Sequence, residues 1–156
     1  MKQETLCLLL KDKEILLAMK KRKFGKGRWN GTGGKVESGE SIIEAAIRET
    51  KEEINVTIEP DELEQVAQIN FVFAEKPEEN RTVHIFIARS WSGEIKESEE
   101  MKPQWFPFDA IPYDRMWPDD AHWLPLVLAG KKIVGSCTFS DNGNTISDIH
   151  FEETQF

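Results

Sequence analysis

Apolar and polar positions alternate along much of the chain. Thr5–Leu10 and Glu14–Met19 are apolar runs around the polar "KDK", the pattern of a hairpin. Gln65–Ala74 and Thr82–Trp91 alternate with period two and predict two further strands, joined by the loop "EKPEENR". Lys102–Phe108 predicts a shorter strand. Ile133–Ser140 and Thr145–Phe151 flank "DNGN", where Asn142-Gly143 is a strong tight-turn signal.

Two segments carry the helical period instead. Ser41 is a good N-cap, and Glu44, three residues on, completes a capping box. Ile43, Ile47, Thr50 and Ile54 follow at intervals that place them on one face. Asn55 tolerates the left-handed conformation that ends helices. A second helix is expected from about Asp119 to Ala129, with Gly130 as its stop. Strands in runs with two helices between them predict an α+β sandwich with a mixed sheet.

Composition narrows the class. At 156 residues, 39% apolar and 31% charged, the chain fits one globular domain over residues 1–156. No apolar run approaches the ~20 residues that span a bilayer, and the opening residues lack the pattern expected of a signal peptide. Cys7 and Cys137 have no metal-ligand spacing; buried free thiols in a reducing cytoplasm are expected. The net charge of −8 argues against a nucleic-acid polymer as partner. Against that balance, "KKRKFGKGR", Lys20–Arg28, carries six cations and no anion. It is either a solvated loop or an attractor for a small, highly anionic ligand.

"GGKVESGESIIEAAIRETKEEINV", Gly33–Val56, holds six glutamates and one arginine. With ~100° per residue, Glu49, Glu52 and Glu53 share a face roughly 100° wide, while the apolar set faces elsewhere. An acidic helix face is often merely solvated. Here the like charges repel, and a hard divalent cation such as Mg²⁺ offsets the repulsion while leaving positions for water and phosphates. Arg48 can brace a neighbouring carboxylate. Gly33-Gly34 lets backbone approach a ligand or metal, Gly39 permits a tight bend, and Glu40 adds a carboxylate at the helix's positive end.

Gly34, five residues, Glu40, seven residues, Arg48-Glu49, Thr50, one residue, Glu52-Glu53, one residue, Asn55 and Val56 together resemble the Nudix box, which spans 23 residues. Thr50 replaces a usual aliphatic residue and Asn55 a usual glycine; every charged position matches. The resemblance implies the Nudix fold, an α/β/α sandwich with a central mixed β-sheet, and Mg²⁺-dependent cleavage of a nucleoside diphosphate linked to another group, with Mn²⁺ as a possible substitute. It implies a metal held by Glu49, Glu52 and Glu53, aided by the Gly33 carbonyl and with Glu100 as a further candidate. The general base is left among Glu52, Glu53 and Glu100. Arg48 orients, and Lys20 counters the phosphates beside Gly33 and Gly34.

"MKKRKFGKGRWNGTGGKV" and "EEMKPQWFPFDAIPYDRMWPDDAHWLPLVL" are similar to segments of the 8-oxo-dGTP diphosphatases, Nudix enzymes that sanitise oxidised purine nucleotides. The likeness weakens in roughly the last 20 residues. Asp119 and Asp120 have an ordinary reading as helix-start residues. As neighbours in an apolar cleft, one of them protonated, they would read a purine edge. In the family, residues matching Asn30, Asp119 and Asp120 read the base. Trp117 is placed to stack on it. Phe24, Phe71, Phe73 and Met101 are candidates for the remaining wall, against the alternative of plain core packing, and Thr5 matches a pocket position in the relatives. Trp29, Trp105 and Trp123 are assigned to the core. "EKPEENRTVHIF" matches only loosely: a pocket methionine expected near Asn80–Arg81 is absent, so the entrance differs.

The expected function is Mg²⁺-dependent hydrolysis of oxidised purine nucleoside triphosphates to monophosphate and pyrophosphate by a cytoplasmic monomer acting on a small nucleotide, with no membrane partner. The alternatives are another nucleoside diphosphate derivative as substrate, which "WPDD" and Asn30 argue against, and a non-catalytic nucleotide sensor, which the intact Glu49, Glu52 and Glu53 argue against.

Overall fold

The first two strands, β1 (Lys2–Lys11) and β2 (Glu14–Lys20), form the expected hairpin, with Asp12 at positive φ in its turn. They pair with each other only near that turn, from Leu9 opposite Leu16 to Lys11 opposite Glu14. Beyond it the segment that follows the basic run enters between them. The short strand β3 (Trp29–Asn30) pairs with β2, and β4 (Thr32–Lys35) pairs with β1. Neither was visible as a strand in the sequence, because two glycines leave β4 with little side chain to set a pattern.

The computed structural model, which describes all 156 residues, places nine strands in one mixed sheet. Strands β5 (Leu63–Phe73) and β6 (Arg81–Ala88) form the second hairpin, and β6 lies parallel to β1. Strand β7 (Met101–Pro107) pairs with β2. On the other side β8 (Ile133–Ser140) runs parallel to β5, and β9 (Thr145–Glu153) closes the edge. Between β8 and β9, Asp141, Asn142 and Gly143 all adopt positive φ, the turn that Asn142-Gly143 predicts. Strand β6 stops at Ala88 rather than Trp91, since Ser92 leaves to exchange two 2.9 Å hydrogen bonds with Thr57.

Side-chain alternation along β1 sorts the interior onto two faces. Leu6, Leu8 and Leu10 join the larger core with Ile69, Ile85, Trp123 and Leu124. Cys7 and Leu9 join a smaller one with Ile54, Val56 and Ile58. Helix α1 (Ile42–Ile54) covers the second face and α2 (Asp120–Leu128) the first, giving the α/β/α sandwich. Both cysteines are free and buried.

Helix α1 begins with the predicted capping box: Glu44 N–H donates to Ser41 Oγ at 3.1 Å and Ser41 N–H to Glu44 Oε1 at 2.9 Å. It ends at Asn55 in the left-handed region, φ 72°. Its buried face differs from the expected isoleucine row. Ala45, Ala46, Thr50, Glu53 and Ile54 are buried, whereas Ile43 is 38% exposed. Small alanines let the helix axis come close to β1 and β4. Trp105 is also only half-buried, stacked on Trp91 at 6.0 Å, because it lies on the face that the smaller core covers incompletely.

Candidate active site

Two glycines fix how α1 meets the sheet. A Cβ on Gly33 would stand 1.8 Å from the Thr5 carbonyl oxygen, so glycine here serves the close approach of β4 to β1. A Cβ on Gly34 would stand 2.5 Å from the Glu49 carboxyl carbon, so its absence makes room for that carboxylate. Thr50, where the Nudix pattern has an aliphatic residue, shares a buried 2.9 Å hydrogen bond with Thr32. That bond ties α1 to β4 one residue from Gly33.

Arg48 uses all five of its N–H groups. Nε and Nη2 grip Glu40 at 2.7 and 3.0 Å, Nη2 also reaches the Lys35 carbonyl at 3.0 Å, and Nη1 bonds Glu49 at 2.8 Å and Glu52 at 3.3 Å. The guanidinium holds Glu40 well below the usual carboxylate range, at about 2. Arg48 thus bonds two of the three carboxylates of the acidic face.

Glu53 is buried and accepts a 2.8 Å hydrogen bond from Gly33 N–H. Burial, reinforced by Glu49 and Glu100, pushes it up to about 8; Lys20 pulls the other way. Burial likewise raises Glu49, with Glu52 and Glu100 adding to the rise. Gly33, Glu49 and Glu53 are therefore brought together, and Glu100 lies near enough to act on both. Glu52 turns toward Arg48 on the exposed side, and Glu100 bonds Arg22 at 3.2 Å. No three acidic, histidine or cysteine side chains already sit at mutual metal-ligating distances. The donors are nonetheless all hard oxygens whose charges repel in a half-buried site, which suits a divalent cation of the Mg²⁺ type.

A cleft continues from this acidic end. Lys20, Asn30, Gly34 and Met101 line it together with Gly33 and Glu53. Its aromatic wall combines Phe71 and Phe73, stacked on Phe139 at 5.8 and 5.0 Å, with Phe24 and Trp117, 5.2 Å apart. Phe71 and Phe73 thus serve the core and the cleft at once. Arg28 lies 4.2 Å over the Trp117 ring and donates to the Met116 carbonyl at 2.9 Å, fixing the indole.

Asp119 and Asp120 sit deep in the cleft, each 3% exposed. Asp119 does not cap α2; its Oδ2 instead accepts from Trp123 Nε1 at 2.7 Å, which gives that core tryptophan a second task. Burial raises both aspartates, and Asp119 pushes Asp120 further up. One member of such a pair stays protonated near neutrality. Asp120 Oδ2 and Thr5 Oγ1 are buried without a hydrogen-bond partner. Buried polar atoms are rarely left so, and two in one cleft mark where a ligand's polar atoms belong.

Of the residues singled out from the sequence, Thr5, Lys20, Phe24, Asn30, Gly33, Gly34, Glu53, Phe71, Phe73, Met101, Trp117, Asp119 and Asp120 line the cleft, whereas Arg48, Glu49, Glu52 and Glu100 do not. Sequence reasoning missed Phe139, Arg28 and Arg81. Phe139 shares a strand face with Cys137 and was open to the period-two argument. Arg28 was one of six cations without distinction, and Arg81 became a pocket residue only through strand pairing.

The NUDIX domain family matches residues 2–127. The chain belongs to the Nudix family. Among curated Nudix relatives, the mouse oxidized purine nucleoside triphosphate hydrolase is 48% identical over 143 residues, covering 92% of this chain and 90% of that one. The zebrafish protein of the same description is 47% identical over 135 residues, 86% of this chain and 85% of its own. A MutT protein from Bacillus halodurans superposes with a TM-score of 0.85 at 26% identity, covering 97% of this chain and 98% of that structure. The fold expected from the Nudix box is therefore the fold observed.

Proposed function

We propose that this Nudix protein hydrolyses oxidised purine nucleoside triphosphates, 8-oxo-dGTP among them, to the monophosphate and pyrophosphate, as an enzyme of the cytoplasmic nucleotide pool. One observation carries the reading: a raised aspartate pair, with Asp120 Oδ2 unpartnered, lies buried in an aromatic cleft that leads directly to clustered carboxylates. A protonated aspartate donates to a purine oxygen while its neighbour accepts from ring or amino N–H groups. Asn30 contributes an amide to the same base, and Trp117 with the phenylalanine wall takes its faces. The names of the mouse and zebrafish relatives point the same way.

Glu49, Glu52, Glu53 and Glu100, with the Gly33 carbonyl, would hold Mg²⁺, which when bound neutralises phosphate charge and acidifies water. Lys20 lies beside Glu53 and balances the phosphate chain. Arg48 keeps Glu49 and Glu52 in place through its bonds to both. Hydrolysis breaks one phosphoanhydride P–O bond; the water oxygen ends on phosphorus and its proton passes to Glu52, Glu53 or Glu100. Of these, Glu53 is the buried one, held by Gly33 N–H.

The test is pyrophosphate release from 8-oxo-dGTP and dGTP, with and without Mg²⁺. Magnesium-dependent release that favours the oxidised nucleotide is expected. No magnesium-dependent release from a panel of nucleotides would overturn the reading.

A further inference from the structure

Arg81 opens β6, opposite Phe71 of β5 and Lys2 of β1. Its guanidinium carbon lies 5.8 Å from the Phe24 ring centre and 5.7 Å from that of Phe73, at the aromatic wall of the cleft. Three anchors hold it there. Nε donates to the Glu79 carbonyl at 2.8 Å, Nη2 pairs with the Glu79 carboxylate, and Nη1 lies 2.9 and 3.2 Å from the two oxygens of Glu4. Glu4 and Arg81 both line the cleft that holds Asp119 and Asp120, and their side chains are 14% and 17% exposed.

A guanidinium carries five N–H groups, and the acceptors recorded for Arg81 are four oxygen atoms. Only three of these contacts are hydrogen bonds, the approach to the second Glu4 oxygen being an ion pair, so donor capacity is left over. The Glu4 carboxylate offers about four lone-pair sites, and Arg81 does not use them all. Unused donor and acceptor capacity therefore stands side by side on two residues that bond each other and line the cleft. Their complement is an adjacent carbonyl and ring N–H. Oxidation of a purine at C8 creates that pair, C8=O beside N7–H. An unmodified purine presents a C–H beside an N7 lone pair, which gives the guanidinium no carbonyl at C8 and turns a lone pair toward the carboxylate.

We propose that Arg81 and Glu4 form a second base-reading element, which selects the N7–H, C8=O edge of an oxidised purine. This rests on the proposed function, in which an oxidised purine nucleotide occupies the cleft. Asp119 and Asp120 take a different edge of the base, so recognition is divided: the aspartates select the ring type and Arg81 with Glu4 selects the lesion. A site whose polar groups match the correct ligand rejects the analogue that lacks the partner atoms, by attraction in one case and lone-pair repulsion in the other.

The test measures kcat and KM with Mg²⁺ on 8-oxo-dGTP, dGTP, dATP and a dATP oxidised at C2, for the parent, Arg81→Met and Glu4→Gln, with thermal denaturation alongside. Arg81→Met is expected to lower the 8-oxo-dGTP to dGTP ratio of kcat/KM about tenfold, the scale of a charged hydrogen bond, mainly through KM for 8-oxo-dGTP. The ratio for the C2-oxidised nucleotide over dATP, whose five-membered edge is unaltered, keeps the parent value. Glu4→Gln, which retains Arg81 and one acceptor oxygen, shifts the first ratio in the same direction and decides the matter if Arg81→Met does not fold. Equal losses on all nucleotides with a lower Tm would mark a structural tie between β1 and β6 and overturn the inference, as would ratios unchanged in both variants. A parent that does not prefer 8-oxo-dGTP would overturn the underlying reading as well; a parent that prefers it, with unaltered variants, would overturn this inference alone.

Discussion

Arg48 and Glu40, eight residues apart, meet in two parallel hydrogen bonds of 2.7 and 3.0 Å. Glu40 precedes the N-cap and accepts from Glu37 N–H, so the pair clamps the approach to α1 against its second turn. The remaining N–H groups of Arg48 reach Glu49, Glu52 and the Lys35 carbonyl. Glu40→Gln removes the charge that holds Arg48 but alters no proposed metal ligand. Its expected effect is a 10- to 100-fold weaker response to Mg²⁺, roughly the range for partners that orient ligating groups. A magnesium titration of turnover checks it; an unchanged midpoint would separate Glu40 from the metal site.

Glu53 has its Oε1 fixed by Gly33 N–H and its charge disfavoured by burial. Glutamine in its place still accepts that hydrogen bond but contributes no charge to a cation. Glu53→Gln is expected to lower kcat by about 10²–10³-fold, the loss typical of removing one electrostatic contact to the reacting groups. Nucleotide binding, read by calorimetry, stays within the parent's range. Near-normal turnover would exclude a metal or base role.

The neighbouring glycines separate fold from function. At Gly33 the obstacle to a side chain is the Thr5 backbone, which cannot move without breaking the pairing of β4 with β1. At Gly34 it is the end of the Glu49 side chain, which can rotate away. Gly33→Ala should therefore destabilise the protein by about 3 kcal/mol or more, beyond the usual overpacking range. Gly34→Ala should keep its Tm and lose activity through a displaced Glu49. Denaturation and turnover of the two variants, measured together, test the contrast.

Much of this was legible in the sequence, and the reasons differ by residue. Local rules sufficed for Ser41, Glu44 and Asn55, since capping involves groups a few residues apart. Helical spacing was enough to place Glu49 and Glu53 on one side of α1, but not to show Glu52 turned outward toward Arg48. The isoleucine row misled, for Ile43 is apolar by type but exposed in the first turn, while Ala45 and Ala46 take the buried face. Strands β3 and β4 were hidden because their existence depends on β1 and β2 separating, which nothing local encodes. Asp119 shows the limit on sites. Its neighbours in sequence suggested a cap, and only the packing of Trp123 reveals where its oxygen is spent. Arg81 was noted for a missing methionine; its guanidinium became informative once β6 was seen beside β1.

The aspartate pair makes stability depend on pH in a definite sense. Burial moves Asp119 from about 3.8 in the unfolded chain to about 6 in the fold, and Asp120 is raised as well. Above pH ~4 the unfolded chain has released these protons while the native protein retains them. The native state then binds more protons, so stability falls as pH rises through that window and levels off once the folded pair has ionised. Asp119→Asn removes one titrating group and keeps an oxygen that can accept from Trp123. Its stability should fall less steeply than the parent's between pH 4.5 and 7, a window chosen around those about 3.8 and about 6 values. Urea denaturation across that range measures both slopes. Parallel curves would mean that Asp119 ionises alike in the folded and unfolded chain, and would leave Asp120 as the one aspartate of the pair that burial keeps protonated.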